Sequence, residues 1–174
     1  IEHFFRSYWR FFLKLNVAYS CNSAYIHHTG ISLISLFENN KDFQVIEVFF
    51  IGMDTTEEDI NSLKKICDAY NRMLTVLSFD TLCSGLIVNT VSRHAHTIFA
   101  KLFFSRISGI DKILYIDSDT IIDGPLDELW EIELEDNFFA GVNVRAINPA
   151  DEFSLPQDAP YINDGVTLVN LTAC

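Results

Sequence analysis

Hydrophobic and polar positions in this chain follow two periodicities, and their alternation predicts strands separated by helices. Apolar runs of strand length occur three times in the first half, at residues 15–20, 44–51 and 73–79. Between them, apolar residues recur at helical spacing over residues 26–37 and 60–70, and Thr55 and Glu58 have the spacing of a capping box. This β-α-β-α-β order is typical of an α/β protein with a mostly parallel central sheet and flanking helices.

The second half of the chain predicts a longer helix and three more strands. The helix covers residues 92–107, with an inward face made of Ala95, Ile98, Phe99, Leu102 and Phe103. The strands are predicted at residues 112–116, 137–144 and 166–171. Between the first two, Pro125 is expected to start a short helix that places Trp130 in the core. Residues 145–160 contain three prolines and are predicted to form a mobile loop, where substrate lids often occur.

Two aspartates, Asp117 and Asp119, follow the apolar run at 112–116 and are separated by Ser118. If the strand continues through them, both carboxylates project from one face and Ser118 points the other way. Carboxylates are ligands that hard divalent cations prefer, and a cation held there would bridge and neutralise a diphosphate. Ligands of open α/β sheets bind beyond the carboxyl ends of strands, which favours a metal site. The alternative is a pair that only caps the next turn.

Composition narrows the choice of ligand. The net charge of −12 over 174 residues argues against nucleic acid, and an acidic domain that handles anions needs a cation as intermediary. The four cysteines lack paired spacing, so we interpret them as reduced thiols rather than zinc ligands.

Residues 1–15 are aromatic and carry Arg6, Arg10 and Lys14 on one helical stripe, which suits either peripheral contact with an anionic membrane or packing on the domain. The chain begins without Met and ends just after a strand-like run, so we expect it to be incomplete at its C-terminus.

Further candidate ligand contacts lie away from the acid pair. A mononucleotide bound beyond the first strand would contact Ser20, Asn22 and Tyr25. Lys101 is a candidate for a phosphate or a sugar hydroxyl, or is simply solvated. Residues 163–165 (Asn-Asp-Gly) carry a strong turn signal. There is no G-x-G-x-x-G or Walker A sequence, which disfavours dinucleotide and P-loop chemistry.

Four segments, in this order, resemble glycosyltransferase family 8, the retaining sugar transferases with a GT-A-type fold. They are residues 17–25, the helix HTGISLISLFENN, the stretch ISGIDKILYIDSDTIIDGPLDELW and the segment YINDGVTLVNL. The resemblance implies a GT-A-type domain over residues 16–174, C-terminally incomplete, preceded by the separate segment 1–15. It also implies a UDP-hexose donor, a manganese or magnesium ion, and a carbohydrate, lipid-linked glycan or protein as acceptor.

The resemblance assigns roles by position. Asp117 and Asp119 would bind the metal, and Asp117 and Ser118 the nucleotide. Uridine contacts would come from Ser20, Asn22 and Tyr25, and donor contacts from Lys101, Asn163, Asp164 and Gly165, with Asp164 and Asn163 as candidate catalytic groups. Lys101 stands where members usually have Arg, Asp164 replaces a small residue, and residues 22–24 depart from the usual uridine loop. The family's later His metal ligand would lie beyond Cys174.

The expected reaction is hexosyl transfer with retention, in which the acceptor attacks from the face that UDP leaves. A double displacement would instead use Asp164 as nucleophile. Two other functions stay open at this stage. A haloacid-dehalogenase-type phosphatase also places D-x-D after a strand, but Ile121 stands where it normally has Thr. The domain would alternatively bind a nucleotide sugar, or only a partner, without catalysis.

Overall fold

The computed structural model describes residues 14–85, 99–144, 154, 156 and 159–173. Its elements, in chain order, are β1 (Lys14–Asn22), a 3₁₀ turn (Ser23–Tyr25), α1 (Ile26–Asn39), β2 (Val45–Met53), α2 (Glu57–Ala69), β3 (Met73–Ser78), α3 (Phe79–Leu82), a 3₁₀ helix (Ala100–Arg106), β4 (Lys112–Ile116), α4 (Asp127–Trp130), β5 (Phe139–Asn143) and β6 (Ile162–Asn170). Within these residues, no helix has both the length and the apolar character needed to cross a membrane.

The strands form one six-stranded sheet in the order β3-β2-β1-β4-β6-β5. Strands β1 to β4 pair in parallel, while β6 runs antiparallel to both β4 and β5. The predicted mostly parallel sheet is therefore confirmed, with an antiparallel margin. The chain moves outward from β1 through β2 to β3 and then returns to the other side of β1 with β4. That reversal creates a switch point at the carboxyl ends of β1 and β4, where α/β sheets bind ligands.

Apolar side chains bury both faces of the sheet. Alternate residues of a strand face opposite sides, and β1 contributes Leu15, Val17 and Tyr19 to one cluster and Ala18 to the other. The first cluster includes the buried residues of α1 and α2, and the second those of α3 and the 3₁₀ helix. A central strand buried on both faces needs a nearly continuous apolar run, which explains why β1 was predictable. Among the described cysteines, Cys21, Cys67 and Cys83 are buried and unpaired.

Helix α1 holds the loop that follows β4. The Asn40 side chain accepts a hydrogen bond from the Leu126 backbone N–H at 2.7 Å. Ser35 Oγ accepts another from Ile122 N at 3.0 Å, and Asn39 Nδ2 donates to the Ile122 carbonyl at 2.8 Å. Three side chains near the C-terminal end of α1 thus fix a loop that has little regular structure of its own.

Two predictions about helices are wrong in detail. The capping box of α2 is formed by Thr56 and Asp59, one residue later than the predicted Thr55 and Glu58: Thr56 Oγ1 accepts from Asp59 N, and Asp59 Oδ2 accepts from Thr56 N. Thr56 takes the extended cap conformation, with φ −87° and ψ 165°, and spacing alone does not reveal that. Pro125 does not start α4 either, because the helix begins at Asp127 with Leu126 as its N-cap. Trp130 is buried as predicted.

The predicted helix over residues 92–107 is only partly within the described residues. Its described end is a 3₁₀ helix, Ala100–Arg106, in which Ala100 and Phe104 are buried while Leu102 is 60% exposed. The buried positions Ala100 and Phe104 are each one residue later than the predicted inward Phe99 and Phe103, and the predicted inward position of Leu102 is wrong. Ala95 and Ile98 lie outside the described residues, as do segment 1–13 and most of the predicted loop at 145–160.

Candidate active site

The acid pair lies in a turn, not in a strand. Strand β4 ends at Ile116, and the Thr120 N–H donates to the Asp117 carbonyl at 3.1 Å, which closes a turn over residues 117–120. The prediction that Asp117 and Asp119 share one strand face is therefore wrong in its geometry. The expected difference between Ser118 and the two aspartates is nevertheless present, since Ser118 is buried while Asp117 is half-buried and Asp119 is exposed.

Neighbouring strands fix the position of Asp117. Its backbone N–H donates to the Gly165 carbonyl at 2.7 Å, which ties the turn to β6. Its carboxylate Oδ1 accepts a hydrogen bond of 2.8 Å from the Tyr115 hydroxyl. Burial, with the Asp117 charge as a further cause, raises the pKa of Tyr115, so its hydroxyl stays protonated and remains a donor. The other oxygen, Oδ2, lies against Gly165 so closely that a Cβ there would be 2.6 Å away.

A largely buried cation lies beside Tyr115, which holds this aspartate. Lys101, on the 3₁₀ helix, donates from Nζ to Asp164 Oδ2 at 2.7 Å and to the Asp164 carbonyl at 3.1 Å. The same ammonium lies 4.3 Å from the centre of the Tyr115 ring, within the range of a cation–π contact. The Lys101 side chain is 12% exposed, whereas that of Asp164 is 62% exposed. Asp164, Lys101, Tyr115 and Asp117 thus form one chain of contacts.

The segment Asn163 to Gly165 lies within β6, so its strong turn signal is misleading. Strand β6 starts at Ile162, four residues before the predicted start, and pairs with β4 up to the end of that strand. Asn163 Oδ1 accepts from the Gly165 N–H at 2.9 Å. Pairing of Asn163 with Val142 of β5, together with the hydrogen bond from Asp117 N to the Gly165 carbonyl, therefore outweighs the local preference of an Asp-Gly sequence for a turn.

The candidate uridine residues follow β1. Ser20 is buried at the end of the strand, and Asn22 caps the 3₁₀ turn by accepting from Ala24 N at 3.1 Å. Tyr25 is 45% exposed, and its ring lies 5.2 Å from that of His28. Asn22 thus has a structural task, whereas Tyr25 presents an aromatic surface to solvent.

One carboxylate holds this loop in place. Asp59 Oδ2 accepts from Ser23 Oγ at 2.5 Å as well as from Thr56 N at 2.8 Å. The hydrogen bonds from Ser23 and Thr56 lower the pKa of Asp59. The loop after β1 and the start of α2 therefore share a single anchor.

The turn at the acid pair also approaches β1. Burial raises the pKa of the Cys21 thiol, and interactions with Thr29 and then with Ser118 oppose that rise. Ser118, from the acid-pair turn, is thus close to the end of β1. The two groups of predicted residues consequently meet at the switch point of the sheet. A cavity of about 480 Å³ against β2, β3 and Arg106 includes none of them.

Tyr115 and Asp59 were not predicted from the sequence to be site residues. Tyr115 stands two residues before Asp117, and this spacing was a usable signal because it places a phenol beside a carboxylate. No local sequence pattern indicates the role of Asp59, since its hydroxyl partner Ser23 is 36 residues away.

The residues present fit a divalent cation as part of its ligand shell. Within the described residues, Asp119 makes no hydrogen bond or ion pair, and neither does Asp117 Oδ2. The same part of the chain contains no group of three or more acidic, His or Cys side chains that would hold a metal alone. Two carboxylates that are completed by substrate phosphates and water are an ordinary arrangement for Mg²⁺.

Comparison with known proteins identifies the family of this chain. The sequence profile of glycosyl transferase family 8 matches residues 16–174. The chain belongs to glycosyl transferase family 8. The predicted family is thus confirmed, and this family match replaces the phosphatase alternative.

Relatives of this family 8 chain are glycosyltransferases of low sequence identity. A putative glycosyltransferase of Haemophilus influenzae is 24% identical over 165 residues, which are 90% of this chain and 48% of that protein. A lipopolysaccharide 1,2-glucosyltransferase of Escherichia coli is 26% identical over 162 residues, 90% of this chain and 47% of that protein. The chain therefore spans about half the length of these curated relatives.

Solved structures establish the fold of this family 8 chain. Galactosyltransferase LgtC, in complex with donor and acceptor sugar analogues, is 20% identical and has a TM-score of 0.74 over 91% of this chain and 59% of its own. The bifunctional glycosyltransferase WbbM has a TM-score of 0.71 at 19% identity, over 92% of this chain and 32% of its own. The predicted GT-A-type fold is confirmed.

Proposed function

We propose that this family 8 domain binds a UDP-hexose through Mn²⁺ or Mg²⁺ at Asp117 and Asp119, and that the protein transfers the hexosyl group to an acceptor hydroxyl with retention. The observation that carries the proposal is the fixed Asp117 carboxylate. It stands at the switch point of the sheet with one oxygen held by Tyr115 and the other free of protein hydrogen bonds among the described residues. The acceptor is a carbohydrate, a lipid-linked glycan or a protein.

Each group of residues has a part in donor binding. Asp117 and Asp119 hold the divalent ion, which when bound neutralises charge on the departing diphosphate. Tyr115 keeps the Asp117 carboxylate in one orientation through its hydrogen bond. The exposed ring of Tyr25 stacks on the uracil base, as aromatic side chains commonly do with bases. Within the described residues the Asn163 amide N–H groups make no hydrogen bond, so they are available to the sugar.

The state of Asp164 favours front-face transfer over a double displacement. Its Oδ2 is bound to Lys101 at 2.7 Å, which stabilises the carboxylate and weakens it as a nucleophile. In the front-face route, the acceptor oxygen forms a bond to the anomeric carbon while the bond between that carbon and the phosphate oxygen of UDP breaks. The electron pair of that bond leaves with UDP, and a leaving phosphate oxygen takes the acceptor proton.

Replacement of Asp119 by Asn tests the metal site in the full-length protein. Asp119→Asn removes a charged ligand but changes little volume. We expect Mn²⁺-dependent UDP affinity, measured by calorimetry, to fall by about 100-fold or more, since losing even an outer-shell partner costs about 10–100-fold. Donor hydrolysis should fall with it.

The matched control is Asp123→Asn in the same loop, where Asp123 is exposed. This variant should bind and turn over like the wild type. Unchanged turnover in Asp119→Asn would refute the proposed mechanism. Metal-dependent UDP binding by a wild type that never turns over a donor would instead assign a nucleotide-sugar-binding module.

A further inference from the structure

We propose that the Lys101–Asp164 pair makes the donor pocket selective for an uncharged hexose over a hexuronic acid. Asp164 accepts a hydrogen bond from a sugar hydroxyl and excludes a sugar carboxylate, and it keeps Lys101 from binding such a carboxylate. This inference rests on the proposed donor site and adds a substrate class to it.

The two side chains of the pair differ in exposure, and this difference determines which of them a ligand can contact. Lys101 is 12% exposed and already engaged by the carboxylate, by the carbonyl of Asp164 and by the Tyr115 ring. Asp164 is 62% exposed. The group presented to a ligand is therefore the acid and not the base.

Asp164 retains capacity to accept hydrogen bonds. Oδ2 receives the Lys101 ammonium at 2.7 Å, and within the described residues Oδ1 has no hydrogen-bond partner. An ionised carboxylate has about four acceptor positions. A sugar hydroxyl is a donor that satisfies one of them, whereas a hexuronate carboxylate has no proton to give near neutral pH.

The location of Asp164 places it beside the departing phosphate. Gly165, the next residue in β6, contacts Asp117 so closely that a Cβ would be 2.6 Å from Oδ2. Asp164 is the neighbour of Gly165, and consecutive Cα atoms are about 3.8 Å apart, so Asp164 is next to the residue that contacts the proposed metal ligand. The hexose is covalently attached to the diphosphate at that metal and must lie within reach.

The charge balance points in the same direction. The site contains three carboxylates, Asp117, Asp119 and Asp164, and one cation, Lys101, that is already paired. A sugar carboxylate would meet like charge and would find no unoccupied cation among these four residues. Rejection through an unfavourable charge is a common basis of specificity.

The test compares donors that differ only at the sugar. Calorimetry on the full-length protein with Mn²⁺ measures Kd for UDP, UDP-glucose, UDP-galactose and UDP-glucuronic acid. We expect at least one of the two neutral donors to bind about tenfold tighter than UDP-glucuronic acid in the wild type, since one like-charge contact of about 1.4 kcal/mol corresponds to tenfold. The discrimination ratio is Kd for UDP-glucuronic acid divided by Kd for the tighter neutral donor. In Asp164→Asn this ratio should fall to about one-tenth of its wild-type value or lower, while Kd for UDP changes by less than about twofold.

Two further variants sharpen the result. Lys101→Gln leaves the acid unpaired and should keep or widen the discrimination, whereas Asp123→Asn should match the wild type. A wild-type ratio retained by Asp164→Asn would overturn this inference and leave the donor site intact. Absence of Mn²⁺-dependent UDP binding in the wild type would overturn both proposals together.

Discussion

Replacement of Gly165 by Ala directly tests whether the Asp117 carboxylate must occupy its observed position. Gly165 does not require a glycine for its backbone, since it lies in β6 without a positive φ. It requires one for space, because a Cβ would meet Asp117 Oδ2 at 2.6 Å and Asn163 Oδ1 at 3.1 Å. The added methyl therefore acts on the carboxylate and not on the strand.

The size of the effect follows from this distance. Ordinary van der Waals contact begins at 3.4 Å, so the carboxylate oxygen must move by about 0.8 Å. Metal–ligand distances tolerate about 0.2 Å, so the movement is roughly four times the tolerance. We expect Mn²⁺-dependent UDP affinity to fall by about 10–100-fold, as it does when the support of a ligand is lost. The free energy of unfolding should fall by only about 1–2 kcal/mol, the value of a shifted rotamer and a weakened hydrogen bond.

Calorimetry with and without Mn²⁺, together with urea unfolding, separates these effects. Gly124→Ala is the matched control, because it lies in the loop after β4 and a Cβ there meets nothing within 4 Å. UDP affinity without the metal should be the same in both variants. Wild-type Mn²⁺-dependent affinity in Gly165→Ala would show that Asp117 does not hold the metal in this geometry.

Three other perturbations give separate checks. Tyr115→Phe removes the hydroxyl that holds the metal-site carboxylate, so UDP affinity with Mn²⁺ should fall several-fold and the free energy of unfolding by about 1.5–3 kcal/mol, by calorimetry and urea unfolding. Because hydrogen bonds, chiefly from Ser23, lower the pKa of Asp59 below its ordinary 3.8, its contribution to stability is complete above pH 3.8 and is lost as the pH falls through the lowered value. Asp59→Asn should abolish that part of the acid dependence, and an unchanged pH profile would contradict it. Leu33→Ala, in the core, should cost about 2–5 kcal/mol of unfolding free energy, whereas Ile31→Ala, 55% exposed on the same helix, should cost under about 0.5.

The parts of the fold that sequence predicted are those that a single periodicity decides. Strand β1 is a continuous apolar run because both of its faces are buried, and α1 shows an apolar face because only one side of it packs on the sheet. The prediction failed where tertiary structure outweighs local preference. Asn163 to Gly165 continues a strand because Asn163 pairs with Val142 of β5 and the Gly165 carbonyl accepts from Asp117 N. In the 3₁₀ helix at residues 100–106, the buried positions Ala100 and Phe104 are each one residue later than the predicted Phe99 and Phe103.

The candidate site divides in the same way. Asp117 and Asp119 were found because two acids after an apolar run form a local pattern. The partners that fix the site come from elsewhere in the chain: Lys101 reaches Asp164 across 63 residues. Lys101 and Asp164, the two residues that depart from the usual family pattern, form an ion pair in the structure, which explains why they occur together.

The shared Asp59 anchor affects the entropy cost of the proposed nucleotide binding. Because Ser23 already ties the loop after β1 to α2, this loop would not have to become ordered when a base binds as proposed. Nucleotide binding would then cost less conformational entropy than it would with a flexible loop. Under the proposed function, replacement of Asp59 at the N-terminal end of α2 would therefore weaken nucleotide binding indirectly, through this loop.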